Sequence, residues 1–95
     1  MLRFTFNPNK DVANIIKHGL SLADAPMVFD APAKLTLASA RGCEARLMDV
    51  AMVEVAGVVL ALVYVLREPD EVRAVSLRRA SKIERRLYAS WQEAH

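Results

Sequence analysis

The apolar positions of this chain keep a helical period up to about residue 29, alternate between roughly residues 34 and 78, and return to a helical period at the end. Leu2 to Phe6 alternate enough to form a short strand. Asn7 can then accept from free backbone N–H groups as an N-cap, and Pro8 fits the first helical position, where its missing donor is not needed. Val12, Ile15 and Ile16 recur at i, i+3 and i+4, which predicts a helix over residues 8 to 18 with these three facing inward and Gly19 closing it in the left-handed conformation. Ser21 restarts a helix with Asp24 in a near capping-box position and Leu22, Ala25, Val28 and Phe29 inward; Pro26 predicts a kink or a shortened helix.

From Lys34 the segments KLTLAS, ARLMDVAMVEV, VVLALVYVL and VRAVSLR are rich in Val and Leu and bounded by turn signals, so they read as strands. A tight hairpin is expected at Ala56-Gly57 and a turn at residues 67 to 71. Connections this short make consecutive strands antiparallel. The run from Val58 to Leu66 lacks polar alternation, which predicts a central strand covered on both faces. A last helix starts after Ser81, with Glu84 completing an S-x-x-E box and Ile83, Leu87 and Trp91 as its buried stripe, leaving Lys82, Arg85 and Arg86 outward. The fold class is α+β: one strand, two helices, an antiparallel sheet and a closing helix, in a single domain over residues 1–95.

Composition narrows the function classes. At 95 residues and 54% hydrophobic content the chain can build one core without staples. The only cysteine, Cys43, has no disulfide partner and no ligand-spaced neighbours, which points to a reducing compartment and away from structural zinc. The longest apolar run, Val55 to Leu66, falls short of the roughly 20 residues a membrane helix needs, so the expectation is a cytoplasmic protein with no membrane contact. Together with Met48 and Met52, this run gives the sheet more apolar surface than so short a chain hides, which predicts partial coverage by another chain. The C-terminal stretch carries Arg73, Arg78, Arg79, Lys82, Arg85 and Arg86 against Glu84 and Glu93. That basic end suits nucleic acid or an acidic partner, and equally a solvated helix face.

Two groups of residues could carry chemistry. Lys17-His18 stand in the last turn of the first helix, where complementing the helix dipole is sufficient to explain them; a histidine beside a lysine could also exchange protons at a phosphate. In the last strand, alternation puts Ser76 and Arg78 on one face and Arg73, Val75 and Leu77 on the other, with Arg79 in the turn before the helix cap. Guanidinium groups bind phosphate oxygens in a forked geometry and can stabilise the added charge of a phosphoryl transition state. Ser81 and Glu84 are accounted for by capping. No Gly-rich phosphate loop, H-E-x-x-H, Cys-His pair or G-x-S-x-G elbow occurs.

The opening FTFNPNKDVANIIKHGLSLADAPMVFD and the closing VSLRRASKIERRLY together resemble the BrnT family of bacterial type II toxins. Phe4, Lys10, Asn14, Lys17, His18, Gly19 and Ala25 match that family's opening pattern. Ser76, Arg78, Ala80, Glu84, Arg85 and Tyr88 match its closing pattern, and Arg41, Glu44 and Arg46 fall on its middle R…E-x-R segment. Phe6 and Asn7 stand where the family usually carries Trp-Asp, Leu22 where it has an aromatic, and Leu77 where it has a small residue.

The resemblance implies a RelE-like fold and a ribonuclease toxin that cleaves RNA by 2′-hydroxyl attack, with no metal or cofactor. It further implies a BrnA-like ribbon-helix-helix antitoxin as partner, with operator DNA met only through the toxin–antitoxin complex. Lys17, His18, Ser76, Arg78 and Glu84 become the expected catalytic set. Arg46, Arg73, Arg79, Lys82 and Arg85 become the expected RNA and phosphate contacts. A family member that has lost catalysis and serves only to bind antitoxin and operator complex is the alternative. An unrelated small domain with a nucleic-acid-binding basic helix is a further one.

Overall fold

The computed structural model describes residues 2–41, 44–53 and 57–94, with only the backbone given for 39–41, 44 and 45. Its elements are β1 (Arg3–Thr5), α1 (Pro8–His18), a 3₁₀ turn (Leu22–Asp24), α2 (Ala25–Phe29), β2 (Lys34–Arg41), β3 (Glu44–Val53), β4 (Val58–Arg67), β5 (Glu71–Arg79) and α3 (Lys82–Ala94). The strands form one sheet in the order β1-β5-β4-β3-β2. β2 through β5 are successive antiparallel neighbours. The sheet is nevertheless mixed, because β1 runs parallel to β5, with Arg3 opposite Glu71 and Thr5 opposite Arg73. Sequence neighbours alone predict an antiparallel sheet; this parallel pair joins strands separated by most of the chain, which short-connection reasoning does not reach.

β4 is central, as its unbroken apolar run predicts. Leu60, Leu62 and Tyr64 point to one face, with Ala51, Val72, Ala74 and Leu77, and are covered by Leu22, Ala25 and Val28 from the 3₁₀ turn and α2. Phe29 packs edge-on against Phe4 and Tyr64, each at 5.3 Å between ring centroids. Pro26 sits in the first turn of α2, and of the two outcomes expected there the shortened helix is found: a 3₁₀ turn followed by a five-residue helix. This core also holds a carboxylate that the hydrophobic pattern gives no sign of. Asp49 is fully buried and accepts from Lys34 Nζ at 2.7 Å, Thr36 Oγ1 at 2.7 Å and Tyr64 Oη at 3.0 Å. A buried charge is tolerated when it is paired and hydrogen-bonded in this way.

The opposite face is covered only in part. Val50, Ala61 and Ala80, with Leu35, Leu37 and Val59 around them, meet Tyr88 and Trp91 of α3. Tyr88 Oη donates to the Ala33 carbonyl at 2.9 Å and accepts from the Met52 amide at 3.2 Å, tying α3 to β2 and β3. The expected stripe on α3 is therefore displaced: Ile83 and Leu87 are 70% and 47% exposed, and Tyr88 is the buried residue. The capping box does form, with Ser81 N–H donating to Glu84 Oε1 at 2.7 Å and Glu84 N–H to Ser81 Oγ at 3.2 Å.

α1 departs further from its pattern. Val12, Ile15 and Ile16 are 56%, 46% and 81% exposed, and the residue it buries is Asn14. β1 pairs with β5 only as far as Arg73, which leaves the later edge of β5 without a strand. Asn14 takes that place: its Nδ2 donates to the Leu77 carbonyl at 2.7 Å and its Oδ1 accepts from the Leu77 amide at 3.2 Å. A second bond runs from Nδ2 to the Leu20 carbonyl at 2.7 Å. Satisfying a strand edge requires polar atoms, so the polar side of α1 faces the sheet and the apolar stripe faces out. Asn7 caps the helix as expected, and Gly19, at φ +71°, closes it. The carboxylate that caps the next turn is Asp11, which accepts from Ser21 Oγ and the Leu22 amide, and not Asp24.

Gly57 has φ +67° at the β3–β4 connection, while Ala56, Glu54, Val55 and Cys43 lie outside the described residues. Among the described residues no helix is long and apolar enough to cross a membrane.

Candidate functional site: a cationic groove on the open half of the sheet

α3 covers β2, β3 and the start of β4 on its face; the rest is left to a groove that the polar side of α1 rims. β5 carries a bulge there: Ser76 pairs with Val63 and Ala74 with Tyr64, so Val75 has no opposite number. The inserted residue reverses the alternation expected for β5. Val72, Ala74 and Leu77 all turn to the buried core, and Arg73 joins Ser76 and Arg78 on the open face.

A cavity of about 250 Å³ lies on this face, lined by Lys17 and His18 from α1, Arg46 and Met48 from β3, Val63 from β4, and Val75, Ser76 and Arg78 from β5. Lys10, Ala13, Asn14, Lys17 and His18 run along the adjoining wall at one-turn spacing. Asn14, by fixing α1 to Leu77, therefore sets the position of the Lys17-His18 pair relative to Ser76. The sequence marks Asn14 by its place in the opening pattern and as a polar residue amid apolar neighbours, but neither signal shows that it pairs with a strand edge.

Arg78 is held by Glu84 through a bidentate pair, Nη1–Oε1 at 2.7 Å and Nη2–Oε2 at 2.8 Å. The hydrogen bonds from Arg78, together with those from Ser81, hold the Glu84 carboxyl down to about 2, so it stays ionised and poorly suited to accept a proton. Glu84 thus stands behind Arg78 and does not line the cavity. His18 is lowered from its ordinary value by desolvation first, and then by the positive charges of Lys17 and Arg78. All three effects favour the neutral imidazole, the form able to accept a proton. Arg46 Nε is buried with no hydrogen-bond partner among the described residues, an unmet donor at the cavity wall.

The remaining expected cations divide. Arg73 lies in an adjoining pocket with Asn7, Lys10, Arg46 and Arg67. Arg79 is exposed and alternation turns it to the opposite face from Arg78; Lys82 is exposed on the first turn of α3; Arg85 donates to the Ala80 carbonyl at 3.0 Å. These three do not line the cavity. Lys10 and Arg67 join the groove without having been expected as contacts: Lys10, matched only as part of the opening pattern, is one turn before Asn14 on the same helical face, whereas Arg67 is brought in only by the register of β4 with β5.

Cations set by a buried strand edge and a carboxylate clamp, beside one imidazole, are an arrangement that can bind an anion, on a small mixed α/β protein. The chain belongs to the family described as ribonuclease toxin, BrnT, of type II toxin-antitoxin system, which it matches over residues 6–84 and thus across all the cavity residues. Its fold is similar to the crystal structure of the Brucella abortus ribonuclease toxin, BrnT, with a TM-score of 0.65, covering 86% of this chain and 100% of that one at 20% identity. No curated protein matches the chain.

Proposed function

We propose that this protein is an endoribonuclease toxin that cleaves RNA at this cavity by attack of a 2′-hydroxyl on the adjacent phosphate. The observation that carries the reading is the convergence of His18, Lys17, Arg46, Ser76 and Arg78, from one helix and two strands, on a single cavity. His18, in its neutral form, takes the 2′ proton. Lys17, one residue away and cationic, serves the departing 5′ oxygen. Arg78 and Arg46 offset the charge that builds on the phosphorane, and Arg78 does so with its fork already oriented by Glu84. Ser76 positions the phosphate between them, and Met48 and Val63 give an apolar floor for the ribose or base. No carboxylate is among the cavity's lining residues that the structure describes, and that donor set suits an anion better than a hard cation; this supports cleavage without a metal.

The neutralising partner in this reading is a BrnA-like ribbon-helix-helix antitoxin, with operator DNA bound only by the complex, and the site of action is the cytoplasm. The arrangement of β1 and two helices before the sheet and α3 after it is read as RelE-like.

The test is cleavage of a labelled RNA in EDTA. Wild type is expected to cut. His18→Ala is expected to lose about 10²–10⁴-fold in rate and Arg78→Ala about 10²–10³-fold, both with unchanged circular dichroism. Intact RNA with folded wild type in EDTA, or full activity in both variants, would sink this reading.

A further inference from the structure

Beside the cavity lies a second, smaller pocket, about 80 Å³, whose polar lining is Asn7, Lys10, Arg46, Arg67 and Arg73. Arg46 and Val75 belong to both, so the two pockets share a wall. The wall is notable for its orphan donor, the buried Arg46 Nε. Four cations line the small pocket. The carboxylate near them is Glu71, 3.6 Å from Arg73 Nη1, which also accepts a hydrogen bond from the Thr5 hydroxyl. Glu71 also feels the charge of Arg67, but among the described residues neither it nor any other carboxylate lines the pocket.

We propose that this pocket is a second phosphate subsite, which takes the phosphate flanking the one in the cavity, so that the groove recognises two consecutive phosphates of a single strand. The inference rests on the reading that the groove takes RNA. It goes beyond that reading by giving the substrate a minimum length. Arg46 bridges the two phosphates, and its Nε meets an acceptor only when the strand is bound. Lys10, Arg67 and Arg73 hold the flanking phosphate by charge and forked hydrogen bonds. Asn7 closes the pocket with a neutral side chain, whose Oδ1 is engaged as the α1 cap by the Asn9 amide at 2.8 Å.

That cap gives a clean test. Asp serves as N-cap about as well as Asn, so Asn7→Asp keeps α1 while adding a negative charge at the pocket wall. The probes are two 2′-O-methyl oligonucleotides, which cannot be cleaved: a dinucleotide with one phosphate and a trinucleotide with two. Their affinities are measured by fluorescence anisotropy at fixed low salt for wild type, Asn7→Asp and Arg67→Gln. Wild type is expected to bind the trinucleotide about ten-fold more tightly than the dinucleotide, and each variant is expected to reduce that ratio to about two-fold. The salt slope for the trinucleotide should fall by about one in Arg67→Gln.

A wild-type ratio near one overturns the subsite, as does a ratio that both variants leave intact. If the ratio holds but RNA is not cleaved, the subsite stands and the enzymatic reading fails. If RNA is cleaved but the trinucleotide has no advantage, only the subsite fails.

Discussion

Glu84 does two jobs with one carboxylate: it completes the α3 capping box and clamps Arg78. Its folded-state value, about 2, lies below the ordinary 4.5, so its stabilising contribution is fully present above pH 4.5 and is lost as the pH falls towards 2. The melting temperature of Glu84→Gln should therefore lie below that of wild type at pH 7 and converge with it near pH 2; a gap independent of pH would show that the charge is not what stabilises. His18 is the second titrating residue. With its value lowered chiefly by desolvation and then by Lys17 and Arg78, kcat/KM should rise with pH along a limb centred below 6.5. Lys17→Met removes one of the depressing charges, so this limb should move to higher pH, whatever the drop in absolute rate. A pH–rate profile of the two proteins reads this directly. At this scale the sequence shows the cap at Ser81-Glu84 and the pairing of Ser76 with Arg78 on one face. The lowered imidazole is not visible there, because it depends first on how far the fold desolvates His18 and then, beyond the adjacent Lys17, on the approach of Arg78 from a distant strand.

At the scale of elements, periodicity locates almost every helix and strand but misjudges what each one faces. α1 has an apolar stripe, and the natural expectation is that the stripe goes inward; what goes inward is Asn14, because an unpaired edge of β5 needs a donor and an acceptor more than a hydrophobic cover. β5 alternates in sequence, yet a single bulge at Val75 moves Arg73 to the side of Ser76 and Arg78. Both departures serve the same groove: one sets α1 against it and the other turns a cation into it. Asn14→Leu should then cost about 1–3 kcal/mol for each Leu77 backbone group left unsatisfied, measured by urea denaturation. It should also reduce cleavage, since Lys17 and His18 follow Asn14 by about one turn. A variant as stable as wild type would show that water replaces the asparagine and that the strand edge does not hold α1.

Across the whole molecule, the surplus apolar surface expected on the sheet exists there at Met52 and Leu66, and more of it lies on the helices. Val12, Ile15 and Ile16 on α1 and Ile83 and Leu87 on α3 are exposed, whereas β4 is mostly covered. Two helices with apolar residues turned to water are the arrangement expected of a chain that spends much of its time with a partner, and the family to which it belongs works with an antitoxin. Expressed alone, the protein should be less soluble than when coexpressed with its antitoxin. Replacing Ile16 and Ile83, the two most exposed of these residues, by Glu should raise the soluble yield of the lone chain without lowering its melting temperature, because neither contributes to the core. Soluble fraction and size-exclusion profiles of the lone chain, the double variant and the coexpressed pair measure this. A lone wild-type chain that is monodisperse and as soluble as the pair would mean that the exposed stripes carry no need for cover, and that the polar residues around them suffice to keep them in water.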